Sequence, residues 1–139
     1  MNYWLLKTEP SAWSWRDQLA APRKTTDWTG VTNAAAQKNI RAMAKGDLAF
    51  FYHTGDEKQI VGIVQVSKAP SPDPSDAAGK LHVIDIRALR QVKKPVTLAQ
   101  IKADAKLAHL ALVKQSRLSV VPIDVASWQR ICKMAETEL

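Results

Sequence analysis

A single cysteine, Cys132, stands in a chain of 139 residues. No internal disulfide and no multi-cysteine zinc site can form, a pattern that fits a reducing compartment. Glycine is scarce as well, with five in all. No G-x-x-x-x-G-K-[ST], G-x-G-x-x-G or G-x-S-x-G occurs, and so few glycines cannot line an extended phosphate loop, which disfavours the common nucleotide-hydrolysing and dinucleotide-using folds. The three histidines, His53, His82 and His109, are too far apart to follow a metal-ligand spacing. Apolar runs are short and interrupted, well below the roughly 18 residues of a membrane span, and "MNYWLLKTEP" lacks a basic region ahead of a longer apolar one. The expectation from these absences is a cytoplasmic chain, neither secreted nor membrane-embedded, with no metal and no cofactor.

What is present suits a folded domain. Hydrophobic residues make up 46% and charged residues 24%, far from the composition of disordered chains. A chain of this length buries about 68% of its extended surface in one core, so residues 1–139 are read as one domain. Twenty basic against thirteen acidic residues give +7, a balance that attracts polyanions. Only "RALRQVKK" is locally dense in charge, and Arg87, Arg90, Lys93 and Lys94 are candidate phosphate contacts. The competing reading is a solvated edge strand protected against aggregation by its charge.

Along the chain, Tyr3 to Lys7 reads as a first strand ended by "TEPS". Ser14 and Asp17 form a capping box for a short helix through Leu19. "RKTTDWTGVTN" reads as a loop with an isolated tryptophan, Trp28. Asn33 caps the helix "AAAQKNIRAMA", and Gly46 suits its C-terminal end. Two strands, Leu48 to His53 and Gln59 to Val66, flank "TGDEK" as a hairpin. "APSPDPSDAAGK" reads as a surface loop, and "LHVIDIRALRQV" as a strand. Thr97 with Gln100 caps another short helix, the leucines from Leu107 to Leu112 form a helical turn, and "RLSVVPI" is a last strand whose proline places it at an edge or end. After Asp124, Trp128, Ile131, Cys132 and Ala135 make one apolar helical stripe. Short strands with helices inserted irregularly between them predict an α+β domain around a small curled sheet or barrel.

Cys132 lies on that apolar stripe, where a small buried hydrophobe is expected rather than a nucleophile. Glu9, before Pro10, is a carboxylate without an identified partner and a thin basis for acid–base catalysis. Alternation puts Phe50 and Tyr52 on one strand face and Phe51 and His53 on the other, so most of that aromatic cluster belongs to the core. Trp28 lacks a periodic apolar face. It either plugs the core from a loop or supplies a wall on which a base stacks, worth roughly 1–3 kcal/mol per base.

In order, "YWLLKTEP" (3–10), "DWTGVTN" (27–33), "KGDLAFFYHTG…IVGIVQV" (45–66), "PDP" (72–74) and "RLSVVPI" (117–123) resemble the EVE domain family across nearly the whole chain. The resemblance implies a PUA-like fold, a small curled β-barrel of five to six strands with peripheral helices. It also implies kinship with YTH domains, which read N6-methyladenosine in RNA, and recognition of modified bases, chiefly modified cytosines in DNA. The implied role is reading rather than reacting. Carried over residue by residue, Lys7, Thr8 and Glu9 line the pocket, Trp28 and Thr29 form its wall, Asn33, His53 and Thr54 sit at the rim, and Arg117 and Ser119 reach in from the last strand. Glu9 accepting from an exocyclic amine favours cytosine or adenine.

Two features depart from the family pattern. Thr32 stands where relatives often carry Arg, and the segment after "PDP" is short and lacks the aromatics of many relatives. The first functional reading is therefore a non-enzymatic binder of DNA or RNA bearing a modified base, with an effector partner not identifiable from the chain. The alternatives are an enzyme acting on a modified nucleobase or nucleotide through Glu9 or His53, and a protein-interaction module.

Overall fold

The computed structural model describes residues 1–137. Six strands form: β1 (Tyr3–Thr8), β2 (Thr25–Trp28), β3 (Leu48–His53), β4 (Gln59–Pro72), β5 (His82–Thr97) and β6 (Val120–Ile123). Helices α1 (Trp15–Ala20), α2 (Ala34–Ala42), α3 (Leu98–Lys102), α4 (Ala111–Lys114) and α5 (Val125–Met134) are inserted between or after them. The strands hydrogen-bond in the order β2-β5-β4-β3-β1-β6, with β1 and β3 parallel and the other pairs antiparallel. This is the expected α+β architecture with a mixed sheet. The ladder stays open, with β2 and β6 as its edges.

The sheet nevertheless curls. Trp28 on β2 lies three strands from Phe51 on β3, a separation of about 14 Å in a flat sheet, yet their ring centroids are 5.8 Å apart. Bulges along the β4–β5 ladder, where the register shifts four times, supply the local twist that bends long strands. Gly62 sits at one of these shifts, and a Cβ there would lie 2.4 Å from a ring carbon of Trp15. The indole of α1 is thus pressed onto bare backbone inside the curl. Helix α2 bridges edge strand β6 and β5, the neighbour of edge strand β2: Asn39 donates to Val120 O on β6 (2.7 Å), while Gln37 donates to His82 O on β5 and accepts from His82 N–H.

Both faces of β3 are covered, which is why Phe50, Phe51, Tyr52 and His53 are all buried. Phe50 faces α5 and stacks on Trp128 at 3.9 Å, and Trp128 stacks in turn on Tyr3 at 4.6 Å. Phe51 faces the concave side, where Trp15 and Trp28 meet it edge-on. The expectation that this aromatic run is mostly core holds.

The capping boxes at Ser14/Asp17 and Thr97/Gln100 form as expected, as do the Asn33 and Asp124 caps. The hairpin forms with the expected connection between His53 and Gln59. Three expectations need correction. "RKTTDWTGVTN" contains β2, which pairs with β5 from Thr25 to Trp28; four residues without alternation gain their strand character from a distant partner. Strand β4 continues through Pro72, so a third of the expected surface loop is strand, tolerated because the bulges there relax the ladder. Strand β5 likewise runs on to Thr97. Beyond Arg87 it has β4 but not β2 beside it, so the basic run does lie along an edge-like stretch.

Candidate functional site

Because the sheet curls without closing, its two edges face each other across a seam, and a cleft of about 470 Å³ opens there. One wall is the end of β1 with Lys7, Thr8 and Glu9; the opposite wall is β2 and the turn after it, from Thr26 to Val31; Ala12, Trp13 and Ser119 complete the lining. The volume falls in the range of small-molecule pockets.

The β1 wall is fixed by backbone bonds. Lys7 N–H donates to Ser119 O (2.9 Å) and Thr54 N–H to Thr8 O (2.9 Å). The Glu9 carbonyl accepts from the N–H groups of Ala12 and Trp13, turning the chain back so that Trp13 borders the cleft. Thr54 Oγ1 donates to Glu9 Oε2 (3.3 Å), and Ser11 donates to Oε1 from its N–H and hydroxyl. The turn at Gly55 has φ +73°, and a Cβ there would sit 2.8 Å from Glu9 Oε2. Glycine is required both for that backbone conformation and for the carboxylate's close approach. Lys7 donates from Nζ to Ser116 O (3.0 Å), and partial burial pulls its ammonium pKa down.

The opposite wall centres on Trp28, 7% exposed and braced by Phe51. Trp13 is half-buried, and its Nε1 donates to Gln18 Oε1 (2.9 Å). Gln18, fully buried, donates onward to Lys24 O and Ile86 O. One amide thus ties Trp13 to the start of β2 and to β5. The lining carries Glu9 and Asp27 as acceptors and the hydroxyl residues Thr8, Thr26, Thr29 and Ser119, while Lys7 borders it with its ammonium held at Ser116 O.

Six of the ten residues carried over by resemblance line this cleft: Lys7, Thr8, Glu9, Trp28, Thr29 and Ser119. Four do not. Asn33 accepts from Ala36 N–H as the cap of α2 and, with Arg117, borders a neighbouring hollow. Thr54 braces Glu9 from behind and borders a different hollow. His53 is not at the rim but buried in the fold. Its Nε2 accepts from Trp15 N–H (3.0 Å), so the proton is on Nδ1, which donates to Glu57 Oε1 (2.9 Å). That bond holds the Glu57 carboxyl below its usual range. Arg87, Arg90, Lys93 and Lys94 are also outside the lining. Cys132 is fully buried, and burial pushes its thiol up to about 11, the opposite of what a nucleophile needs.

Sequence reasoning missed Trp13 and Asp27. Asp27 adjoins Trp28 inside a stretch read as loop. Trp13 sits beside the Ser14 cap, and the only signal was a second indole two residues from Trp15. Among the described residues no cluster of His, Cys, Asp and Glu is arranged to hold a metal ion. The short segment after Pro74 folds as a turn on Asp76, which accepts from the N–H groups of Ala78, Lys80 and Leu81. None of its residues, nor Thr32, reaches the cleft.

A curled, open six-stranded sheet with peripheral helices and a polar, tryptophan-walled cleft at its seam defines a PUA-like domain. The EVE domain model matches residues 2–134, and the chain belongs to the EVE domain family. It is 30% identical to thymocyte nuclear protein 1 of Mus musculus, across 99% of this chain and 75% of that protein. That alignment extends over 169 residues, so the mouse protein carries insertions relative to this shorter chain. A solved structure from Rhodopseudomonas palustris is 47% identical with a TM-score of 0.93, covering 98% of this chain and 94% of that one. The human THYN1 protein, solved in complex with DNA containing 5-methylcytosine, is 28% identical with a TM-score of 0.91 over the full length of both chains.

Proposed function

We infer that this chain binds DNA and receives a modified base, a modified cytosine, flipped into the cleft at the seam. The observation that carries the reading is the wall made by Trp28. A nearly buried indole, braced by Phe51, borders a cleft whose lining also includes two acidic residues, four hydroxyl residues and Lys7. A flipped base presents a flat face and a pairing edge; it needs a π surface and a few donors and acceptors, and the site must offset an extrusion cost of a few kcal/mol. Glu9 and Asp27 accept from an exocyclic amine, while Lys7 and the hydroxyls suit ring nitrogens and carbonyls. The net charge of +7 favours association with a polyanion. The methylcytosine DNA held by the human THYN1 protein supports the substrate class.

The catalytic alternative is weakened at one of its two residues. Both ring nitrogens of His53 are engaged by the fold, so of the two residues named for acid–base work only Glu9 borders the cleft.

The test is a panel of duplex and single-stranded DNA and RNA oligonucleotides, each with one modified base, titrated beside its unmodified twin. Wild type binds a modified-cytosine DNA more tightly than its twin. Trp28→Ala reduces that preference about tenfold or more, the scale of one lost stacking contact, and Trp28→Phe retains part of it at near-native stability. Equal affinities for every modified and unmodified pair sink the reading, and product formation lost in Glu9→Gln replaces it with the catalytic one.

A further inference from the structure

Two smaller hollows lie near the cleft, and their linings differ from it in charge. One, of about 330 Å³, lies between the start of α2 and residues 114–118 and carries Lys114 and Arg117. The other, of about 230 Å³, lies over Tyr52 and carries Lys7, Lys58 and Lys102. Neither lining includes an aspartate or glutamate, whereas the cleft has Glu9 and Asp27. The three depressions adjoin through shared lining residues. Lys7 borders both the cleft and the second hollow, Ser116 borders both hollows, and the Lys7 Nζ bond to Ser116 O pins their junction.

None of these five cations forms an ion pair among the described residues. Gathering uncompensated like charges on one face is a self-repulsion, and such a face raises the local concentration of anions. The basic run on β5 lies elsewhere and is partly engaged by neighbours. Lys94 is paired with Glu136, Arg87 donates to Gln65 Oε1 and Arg90 to Thr137 Oγ1, and none of them borders the cleft or either hollow. Acceptors inside and cations outside match a nucleotide whose base enters while its backbone stays at the surface.

We propose that the DNA strand carrying the flipped nucleotide lies along the two hollows, with phosphates on either side of that nucleotide held by Lys114 and Arg117 in one and by Lys58 and Lys102 in the other. This rests on the reading of the cleft as a base site and moves the phosphate contacts away from β5. Phosphate contacts position the strand without reading sequence, and each one neutralised adds about 0.9 to the slope of log affinity against log salt.

The experiment compares wild type with three double variants, Lys114→Gln/Arg117→Gln, Lys58→Gln/Lys102→Gln and Lys93→Gln/Lys94→Gln. Each is titrated over a salt series with duplex DNA containing one 5-methylcytosine and with its unmodified twin. All six side chains are exposed, so the variants fold, which their melting temperatures verify. Each hollow variant loses about 2 from the salt slope, equally for both duplexes, so the preference for the modified one is preserved. The β5 variant keeps the wild-type slope. Unchanged slopes in the hollow variants, or a reduced slope in the β5 variant, overturn the proposal while leaving the base reading intact. A wild type that binds both duplexes equally removes the base reading, and the slopes still decide where the backbone lies. No binding to either duplex removes both.

Discussion

Trp128 and Trp28 are 1% and 7% exposed, yet their surroundings differ in kind. Trp128 lies between Phe50 and Tyr3 in near-parallel stacks at 3.9 and 4.6 Å, so both faces of its ring are occupied by the protein. Trp28 meets one aromatic partner, Phe51, edge-on at 5.8 Å, and borders the cleft. The curl of the sheet creates the difference. On the convex face, α5 completes the packing; on the concave side, the missing pairing between β2 and β6 leaves a gap that side chains do not fill. Burial alone therefore does not separate a core tryptophan from a binding one.

The largest break in that comparison comes from removing the packed ring. Trp128→Ala costs about 3–5 kcal/mol in unfolding free energy, the range for deleting a large buried aromatic, read as a fall in the denaturant midpoint. Trp128 Nε1 is buried without a hydrogen-bond partner among the described residues, and an unpaired buried donor is itself unfavourable. Trp128→Phe removes that donor and keeps a ring in the stack, so it loses less than half as much. Equal losses for the two variants mean that the stack, not the volume of the side chain, is wrongly assigned.

His53 provides a smaller break, at the boundary between the two regions. It shares a strand face with Phe51, and its Nε2 accepts from the first N–H of α1 at Trp15, a donor that a helix leaves without an internal partner. His53→Ala strands that buried N–H at a cost of about 1–3 kcal/mol. The loss appears as a lower melting temperature. At temperatures where the variant is folded, its affinity for modified DNA equals that of wild type, whereas a catalytic or base-contacting His53 loses function without a matching loss of stability.

This histidine marks where the chain was legible and where it was not. N-terminal capping residues, the hairpin and the apolar stripe of α5 are local features, written within a few residues of one another, and each formed where the sequence indicated, whereas α2 ends at Ala42 with Met43, not Gly46, as its C-terminal cap. Strand β2 was not legible because its four residues are held by β5 some sixty positions away. The same limit applies to the site. Lys7, Thr8, Glu9 and Trp28 belong to motifs, and resemblance placed them in one pocket. That Asn33 and Arg117 open into a separate hollow, and that Trp13 is aimed by Gln18 through bonds to Lys24 and Ile86, depends on how far the sheet curls. No local pattern encodes that.

The smallest effect sharpens the comparison by acting on the packed face alone. Asp124 caps α5, accepting from Ser127 N–H, the Ser127 hydroxyl and His109 Nε2. Burial pushes its pKa up, but the hydrogen bonds from His109 and Ser127 outweigh it and bring the carboxyl from 3.8 to about 2. With the folded value below the unfolded one, this stabilisation is complete above about pH 4 and is lost as pH falls toward 2. The side chain is 47% exposed, so solvent screening keeps the charge contribution small. Asp124→Asn retains a capping oxygen and gives up the charge, costing less than about 1 kcal/mol at pH 7. Its melting temperature falls less steeply than that of wild type between pH 4 and pH 2, and the two profiles converge at the acid end. Because α5 covers the face opposite the cleft, the affinity for modified DNA at pH 7 is unchanged; a variant that shifts it ties the packed face to the seam and dissolves the distinction between the two tryptophans.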